Sequence, residues 1–513
     1  MKRIIVISAL LVSLGSFGVR AGDLAGKANS TVLSETAARN SLWRGSSSAA
    51  GLAFSPYTIV NTLDLRYDGE FGEYRQIGDG KTSNAVSLNT AGAARLGKFL
   101  VTGDFSFRNI FDENSLYNVL QYEVEDNMPY YPIDDKSSGW KRQAYELGAG
   151  LTSPVLWDRV SFGLSLGYST KVGAKQLDPR GETYKYALSL RPSVAVNLGE
   201  SVLGISGLYS DGYERSKPSN NNNWENPKIW QMRGLGESTQ GKVGGNDGMK
   251  TITWRTSVYG GALQYSYSES VFAELSFTRR QVDARENPNL PKMLGTIKEN
   301  SIGLDAAWIF GRDKSDKLSL DADFALTDGI EYVQKLTSTA DTQEWTQVST
   351  NSMSSYTDVS AKLSYDHLFG ASDPRGYDWK VGAEAFFKMF SQSYISPAST
   401  SDAMRVYGGV VADRQFKLRG SALLLGVRGG YAAGLGEGYT CLDAKAYDTP
   451  KALMNDMTDY LNASYMKAGL SLDWSIFGKG RASWIIGCSA DYCRAFTLDK
   501  DRLVCSATVG IQF

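Results

Sequence analysis

The chain closes on DRLVCSATVGIQF, a run that changes character at almost every residue. Leu503, Cys505, Ala507, Val509, Ile511 and Phe513 form one row; Arg502, Val504, Ser506, Thr508, Gly510 and Gln512 form the other. Successive side chains of a strand point to opposite faces, so the run reads as a strand with one apolar and one mostly polar face. The same period of two recurs upstream. In RVSFGLSLGYSTK, Val160, Phe162, Leu164, Leu166 and Tyr168 alternate with Ser161, Gly163, Ser165 and Gly167. In KLSLDADFALTD, Leu318, Leu320, Ala322, Phe324 and Leu326 alternate with Lys317, Ser319, Asp321, Asp323 and Thr327. In DWKVGAEAFFKMF, Trp379, Val381, Ala383 and Ala385 oppose Asp378, Lys380, Glu384 and Lys388.

About eighteen such segments run from 57–67 to 501–513, each near the roughly ten residues that a tilted membrane-spanning strand requires. The count falls to about sixteen if 201–213 and 251–267, which alternate poorly, are not strands. Connection lengths alternate as well. Long links at 111–139, 214–250, 330–342 and 438–456 interleave with short ones such as RLGK, NLGES, SES, FGRDKSD, LRGS and FGKGR. Many long alternating strands joined by short and long links in turn predict an all-β fold: a transmembrane antiparallel β-barrel over residues 57–513. The apolar row then faces lipid, with the short turns in the periplasm and the long loops outside.

Aromatic residues fit this parity. Trp308, Trp379, Trp474 and Trp484 fall on the lipid row at the periplasmic ends of their strands, level with Phe513. Tyr168, Tyr184, Tyr460 and Phe496 fall on it at the outer ends. Amphipathic rings collect at the two interfaces of a bilayer.

Composition adds to this picture without changing it. Net charge is −1 across 513 residues, which gives no footprint for nucleic acid. The start, MKRIIVISALLVSLGSFGVRAGDL, has a basic head, an apolar core and a small-residue cleavage site, so residues 1–21 read as a signal peptide for export. Residues 22–56 are expected to be either a periplasmic tail or a short internal hatch. Of the four cysteines, Cys488, Cys493 and Cys505 sit in the last strands and Cys441 near a loop. They read as small apolar residues, not as bridges.

Catalytic chemistry is scarce. His367 is the sole imidazole and falls in an expected turn, YDHLFGASDP. No zinc, phosphate-loop or nucleophile-elbow motif is present. No enzyme, metal or cofactor is therefore expected. The glycines of GLGEG (Gly434, Gly436, Gly438) read as turn-formers.

The inner rows carry both charge signs, and Arg191, Asp321, Asp323, Lys362, Lys380, Glu384 and Lys388 are the candidate pore-lining residues. Glu274, Asp305, Asp358, Lys467 and Asp473 belong to the same rows. The segment FDENSLYNVLQYEVEDNMPYYPIDDK is either a solvated outer loop or an inward constriction. In the second case Glu123, Glu125 and Asp126 would face Lys362, Lys380 and Lys388 across the channel. A receptor with a large folded plug is excluded, because the roughly thirty-five residues ahead of the first strand are too few.

The run NSLWRGSSSAAGLAF is similar to the small-residue segment ahead of the first strand in FadL-like barrels, with Ser48-Ala49 where Asn-Pro would stand. Taken with the signal, the strands and Phe513, the chain resembles an outer-membrane barrel family of Bacteroidota that is known only as a domain of unknown function. The resemblance implies a Gram-negative outer-membrane location and a C-terminal Phe513 read by the barrel-assembly machinery. It also implies a setting of outer-membrane lipid and lipopolysaccharide. Two functions remain open at this point: a porin-like channel for passive or facilitated uptake of small solutes, or a non-transporting scaffold gripping a surface partner through its loops.

Overall fold

The computed structural model describes residues 30–55, 60–125, 127–222, 224, 227–243, 248–339, 342–442, 447–478 and 482–513. The signal segment lies outside the described residues, and so does Asp126. Twenty-two strands follow in chain order. The first eight are β1 (Thr62–Gly72), β2 (Thr82–Leu96), β3 (Phe99–Ser115), β4 (Pro132–Ile133), β5 (Ser138–Thr152), β6 (Val160–Lys175), β7 (Arg180–Asn197) and β8 (Ser201–Ser219). Next come β9 (Lys228–Met232), β10 (Ser238–Lys242), β11 (Ile252–Tyr267), β12 (Val271–Glu286), β13 (Lys292–Phe310), β14 (Asp316–Ser338) and β15 (Gln343–Phe369). The last are β16 (Trp379–Tyr394), β17 (Ser399–Leu418), β18 (Ser421–Gly434), β19 (Gly438–Cys441), β20 (Tyr465–Phe477), β21 (Ser483–Ala495) and β22 (Lys500–Gln512).

All but β4, β9, β10 and β19 form one antiparallel meander of 18 strands. It closes where β1 pairs with β22, from Thr62↔Gln512 to Gly72↔Arg502. Closure removes every unpaired strand edge, which lipid cannot satisfy. The weakly alternating segments 201–213 and 251–267 are strands, and they pair with each other from Tyr267↔Ser201 to Ile252↔Ser216. Short turns bend at residues with positive φ, Gly97 (+62°) and Gly420 (+80°) among them, which glycine adopts without steric cost.

The lipid row is outward throughout. Trp308, Trp484 and Phe513 are each about half exposed, as are Leu470 and Ile302 between the two ends. In a barrel an apolar outer band of this kind faces lipid. None of the four cysteines is in a disulfide bond.

Three expectations need correction. Residues Asp448–Asn462 form a helix, so the segment expected as a strand from 457 begins at Tyr465. Leu453, Met454, Met457 and Leu461 are buried on one face at a helical period, which outweighs the weak alternation there. Tyr460 consequently leaves the lipid face and packs on Tyr74, with ring centroids 4.9 Å apart. His367 lies within β15, not in a turn, with Nδ1 2.7 Å from the Asp316 carboxylate.

Candidate functional site: the barrel lumen

The lumen is entered at both ends, by one segment at one end and by several at the other. At the short-turn end residues 30–55 lie inside the wall as a helix, Thr31–Asn40, followed by two turns of 3₁₀ helix. Ser30 caps the helix by accepting from the Leu33 amide at 3.2 Å. We call this segment the hatch. Trp43 packs edge-on against Phe272, with centroids 5.3 Å apart, and its indole N–H donates to Ser266 at 3.0 Å. The wall is shaped for it. A Cβ on Gly163 would lie 2.2 Å from the Ala50 nitrogen, and one on Gly204 would lie 3.0 Å from the Trp43 ring.

Val32 packs on Leu368, Tyr377 and Leu424, and the rest of the attachment includes many polar bonds. Arg39 donates to Asp366 at 2.7 Å and to the carbonyls of Lys314 (2.7 Å) and Ser315 (3.1 Å). Glu35 pairs with Lys380 and accepts from the Tyr377 hydroxyl at 2.7 Å. The Ser47 amide donates to Glu274 at 3.0 Å, and Gln264 donates to the Ser47 hydroxyl at 2.9 Å. Thr152 donates to the Ala49 carbonyl and Ser193 accepts from the Ala50 amide. Above the hatch helix is a recess of about 500 Å³ lined by Glu35, Arg39, Lys317, Asp366, Lys380 and Glu384. At ~30 Å³ per water it has room for roughly fifteen.

The long-loop end is occupied differently. The loop after β3, the small sheet β10-β9-β4 and the helix Asp448–Asn462 fold into the mouth around one dry cluster. Val119, Tyr130, Ile133, Ile229 and Leu453 in it are fully buried. We call this assembly the lid. Glycines in the wall again make sockets: a Cβ on Gly295 would lie 2.3 Å from the Tyr130 ring, and one on Gly181 would lie 1.9 Å from the Val119 carbonyl. The Trp254 indole donates to the Tyr130 carbonyl at 3.0 Å. The lid helix ends on Asn462, whose side chain accepts from the amides of Met404 and Gly436 and donates to the Asp402 carbonyl.

The loop 111–139 therefore turns inward, but its carboxylates meet partners other than those expected. Glu123 lies 3.5 Å from Lys171. Glu125 pairs with Arg280 and lies 3.5 Å from Lys185, which is also 3.4 Å from the buried Glu214. Burial pulls the Glu125 carboxyl up, yet Arg280 and Lys185 together hold it below the ordinary carboxylate range. Asp134, fully buried beside Lys175, is pushed up to about 6 by desolvation, against the pull of that lysine. Asp112 bonds to Arg142.

The expected pore residues all lie on inward rows, and the three lysines among them pair with carboxylates other than those of the loop. Lys362 pairs with Glu384 at 3.2 Å, Lys388 with Asp358 at 3.8 Å, and Lys380 with Asp413 at 2.7 Å as well as with the hatch. Asp321 lies opposite Asp305 on one side and Lys362 on the other. Asp323 is opposite Gly303 and Ser360; both aspartates are exposed to the lumen. Arg191 sits beside Pro192 where the ladder between Leu190↔Tyr209 and Ser193↔Ser206 is interrupted. Sequence reasoning missed Glu35, Arg39 and Trp43. Their signal was a tryptophan and a charged helix in a segment otherwise small and polar. Among the described residues no group of three or more His, Cys, Asp or Glu could hold a metal ion.

A transmembrane β-barrel that holds a folded part of its own chain at each end is thus the class that fold and lumen define. The chain belongs to a family of unknown function, DUF6850, whose model matches residues 49–513. No curated protein sequence matches it. Among solved structures, it is similar to the ferric preacinetobactin receptor BauA from Acinetobacter baumannii, at 9% identity over 89% of this chain and 79% of that one, TM-score 0.37. The siderophore receptor PiuA from the same species gives 8% identity over 88% and 82%, TM-score 0.43. The Pseudomonas aeruginosa protein OccK9 gives 10% identity over 89% and 98%, TM-score 0.33. Likenesses this distant add nothing to what the strand pairing already establishes.

Proposed function

We propose that the chain is a channel of the Gram-negative outer membrane for small polar solutes, closed at rest and opened by movement of the hatch. One observation carries this reading: between two small apolar contacts the hatch is attached to the wall by a series of polar bonds, beside a charged recess roomy enough for water. Bonds of this kind exchange readily for water, each contributing only about 1 kcal/mol net. A closure built this way can leave the wall without exposing a large apolar core. The lid, by contrast, has a dry core and narrows the outer mouth as a fixed constriction. Lys362, Glu384, Lys388, Asp321 and Asp323 would line the path between the two closures and present both signs to a passing solute.

Single-channel recording in planar bilayers tests this. The intact protein should open rarely, and the double variant Glu35→Gln, Arg39→Ala should raise the open fraction about tenfold or more. A second reading is favoured by the dry core of the lid: a barrel that carries no solute and offers its rigid outer face to a partner protein. Silence from both the intact protein and the double variant would leave that reading in place of the channel.

A further inference from the structure

We infer that the outward face of β7, β8, β11 and β12, toward the long-loop end, is a docking surface for the phosphorylated headgroup of an outer-leaflet glycolipid. This rests on the outer-membrane placement proposed above, but not on the channel.

Five tyrosines crowd this face: Tyr184, Tyr186, Tyr209, Tyr213 and Tyr259. Their rings adjoin at centroid distances of 6.2 Å (Tyr184–Tyr186), 5.9 Å (Tyr186–Tyr213) and 5.4 Å (Tyr209–Tyr259). Phenols on a lipid-facing row mark the level where hydrocarbon gives way to headgroups. Basic side chains on the same outward rows lie at that level or just beyond it. Arg279 is opposite Tyr259, and Arg255 is opposite Tyr213. Arg215 and Arg285 flank Thr253 from the two neighbouring strands, two strand spacings or about 10 Å apart. Lys217 follows one step further along β8.

The carboxylates on this face are fewer. Glu182 is opposite Lys217, Asp211 is 3.6 Å from Arg255, and Asp283 is 3.3 Å from Arg285. Even with those neighbours the side chains of Arg255 and Arg285 are 67% and 46% exposed. The far side of the rim differs. There the outward rows of β15 and β16 carry Ser355 bonded to Ser393 at 2.8 Å, with no cation beside them.

Guanidinium groups present forked donors that match phosphate oxygens. Basic clusters at a membrane surface are drawn to anionic headgroups. The occupant follows from continuity: on the same outward rows Leu188 comes next after Tyr186 and Phe277 next after Arg279, both exposed on the apolar band that faces lipid acyl chains. A lipid is therefore already against this face, and the cations select one whose headgroup bears phosphate.

The test uses the full-length mature protein in detergent, with lipid A as the probe and binding read by native mass spectrometry. The variant Arg215→Gln, Arg255→Gln, Arg285→Gln should bind lipid A at least tenfold more weakly than the native protein. Arg414→Gln, which removes an outward arginine stacked on Trp379 at the opposite end, should bind it unchanged. Folding of each variant is checked by heat-modifiable migration on denaturing gels. Dephosphorylated lipid A should bind the native protein as weakly as lipid A binds the triple variant, a comparison that needs no mutation. Equal binding of the two lipids to the native protein, or full retention by a folded triple variant, overturns the inference.

Discussion

Arg39 of the hatch and Asp366 of β15 meet at 2.7 Å although 327 residues separate them in the chain. The arginine side chain is only 7% exposed, and its other bonds go to the backbone carbonyls of Lys314 and Ser315 and, at 3.4 Å, to the side-chain oxygen of Asn40, so Asp366 supplies the one carboxylate it bonds. Arg39→Ala should weaken hatch docking by on the order of 2 kcal/mol, as expected for hydrogen bonds made by a charged group. Limited proteolysis of the folded protein should then cleave within residues 30–55 while the barrel stays intact. Unchanged protection would mean that Trp43 alone holds the hatch.

At the other mouth, Gly295→Val should expel the Tyr130 ring from its socket. The ring lies 2.3 Å from the Cβ position and is packed on all sides, so the cost should be about 1–3 kcal/mol of overpacking. Protease sensitivity of residues 116–137 should rise in the variant, with no change in the heat-modifiable migration of the barrel.

Parity along β14 predicts opposite outcomes for adjacent residues. Leu320→Arg puts charge on the lipid face and should impair membrane assembly, at about 2–4 kcal/mol near the midplane. Ser319→Arg points into the recess above the hatch and should assemble normally. Equal assembly of the two would reverse the assignment of faces.

Lid docking should depend on pH through Asp134. Its carboxyl titrates near 6 when buried and near 4 when the loop is free. The docked lid therefore binds the proton more tightly, and its stability, complete below about pH 4, declines as pH rises through 6. Glu125, held below the ordinary carboxylate range by Arg280 and Lys185, is shifted in the opposite direction. Hydrogen exchange of residues 116–137, corrected for intrinsic rates, should be slower at pH 5 than at pH 7, and Asp134→Asn should abolish the difference.

An epitope tag inserted at Asn221 should react with antibody on intact cells, and one at Gly478 should not. Access at Gly478 alone would invert the barrel.

The strands were legible because lipid outside and polar side chains inside impose a strict period of two, which each strand repeats independently. The two poorly alternating segments pair with each other, where Gly204, Gly207, Gly212, Gly260 and Gly261 blur the contrast between faces. What folds into the lumen was less legible, because it obeys different rules. Tyr117, Tyr130 and Tyr131 belong to an acidic segment that the sequence leaves open as a solvated loop or an inward constriction, and only the tertiary fold shows that they are buried within the lid. Helix Asp448–Asn462 announced itself through the spacing of Leu453, Met457 and Leu461, a signal overridden by reading Tyr460 as part of a strand. The partners of Glu123 and Glu125 could not be read at all, since which wall a loop meets is set by the register of strands far away in the chain.

The short tether between the hatch and the wall has a kinetic consequence. The hatch ends at Ser55 and β1 begins at Thr62, so a detached hatch stays within a few nanometres of its seat, at an effective concentration in the millimolar range. Release and recapture are then first-order events within one molecule. The fraction of barrels with the hatch released at any moment is fixed by the sequence and its surroundings, and it stays the same whether a cell makes ten copies or ten thousand.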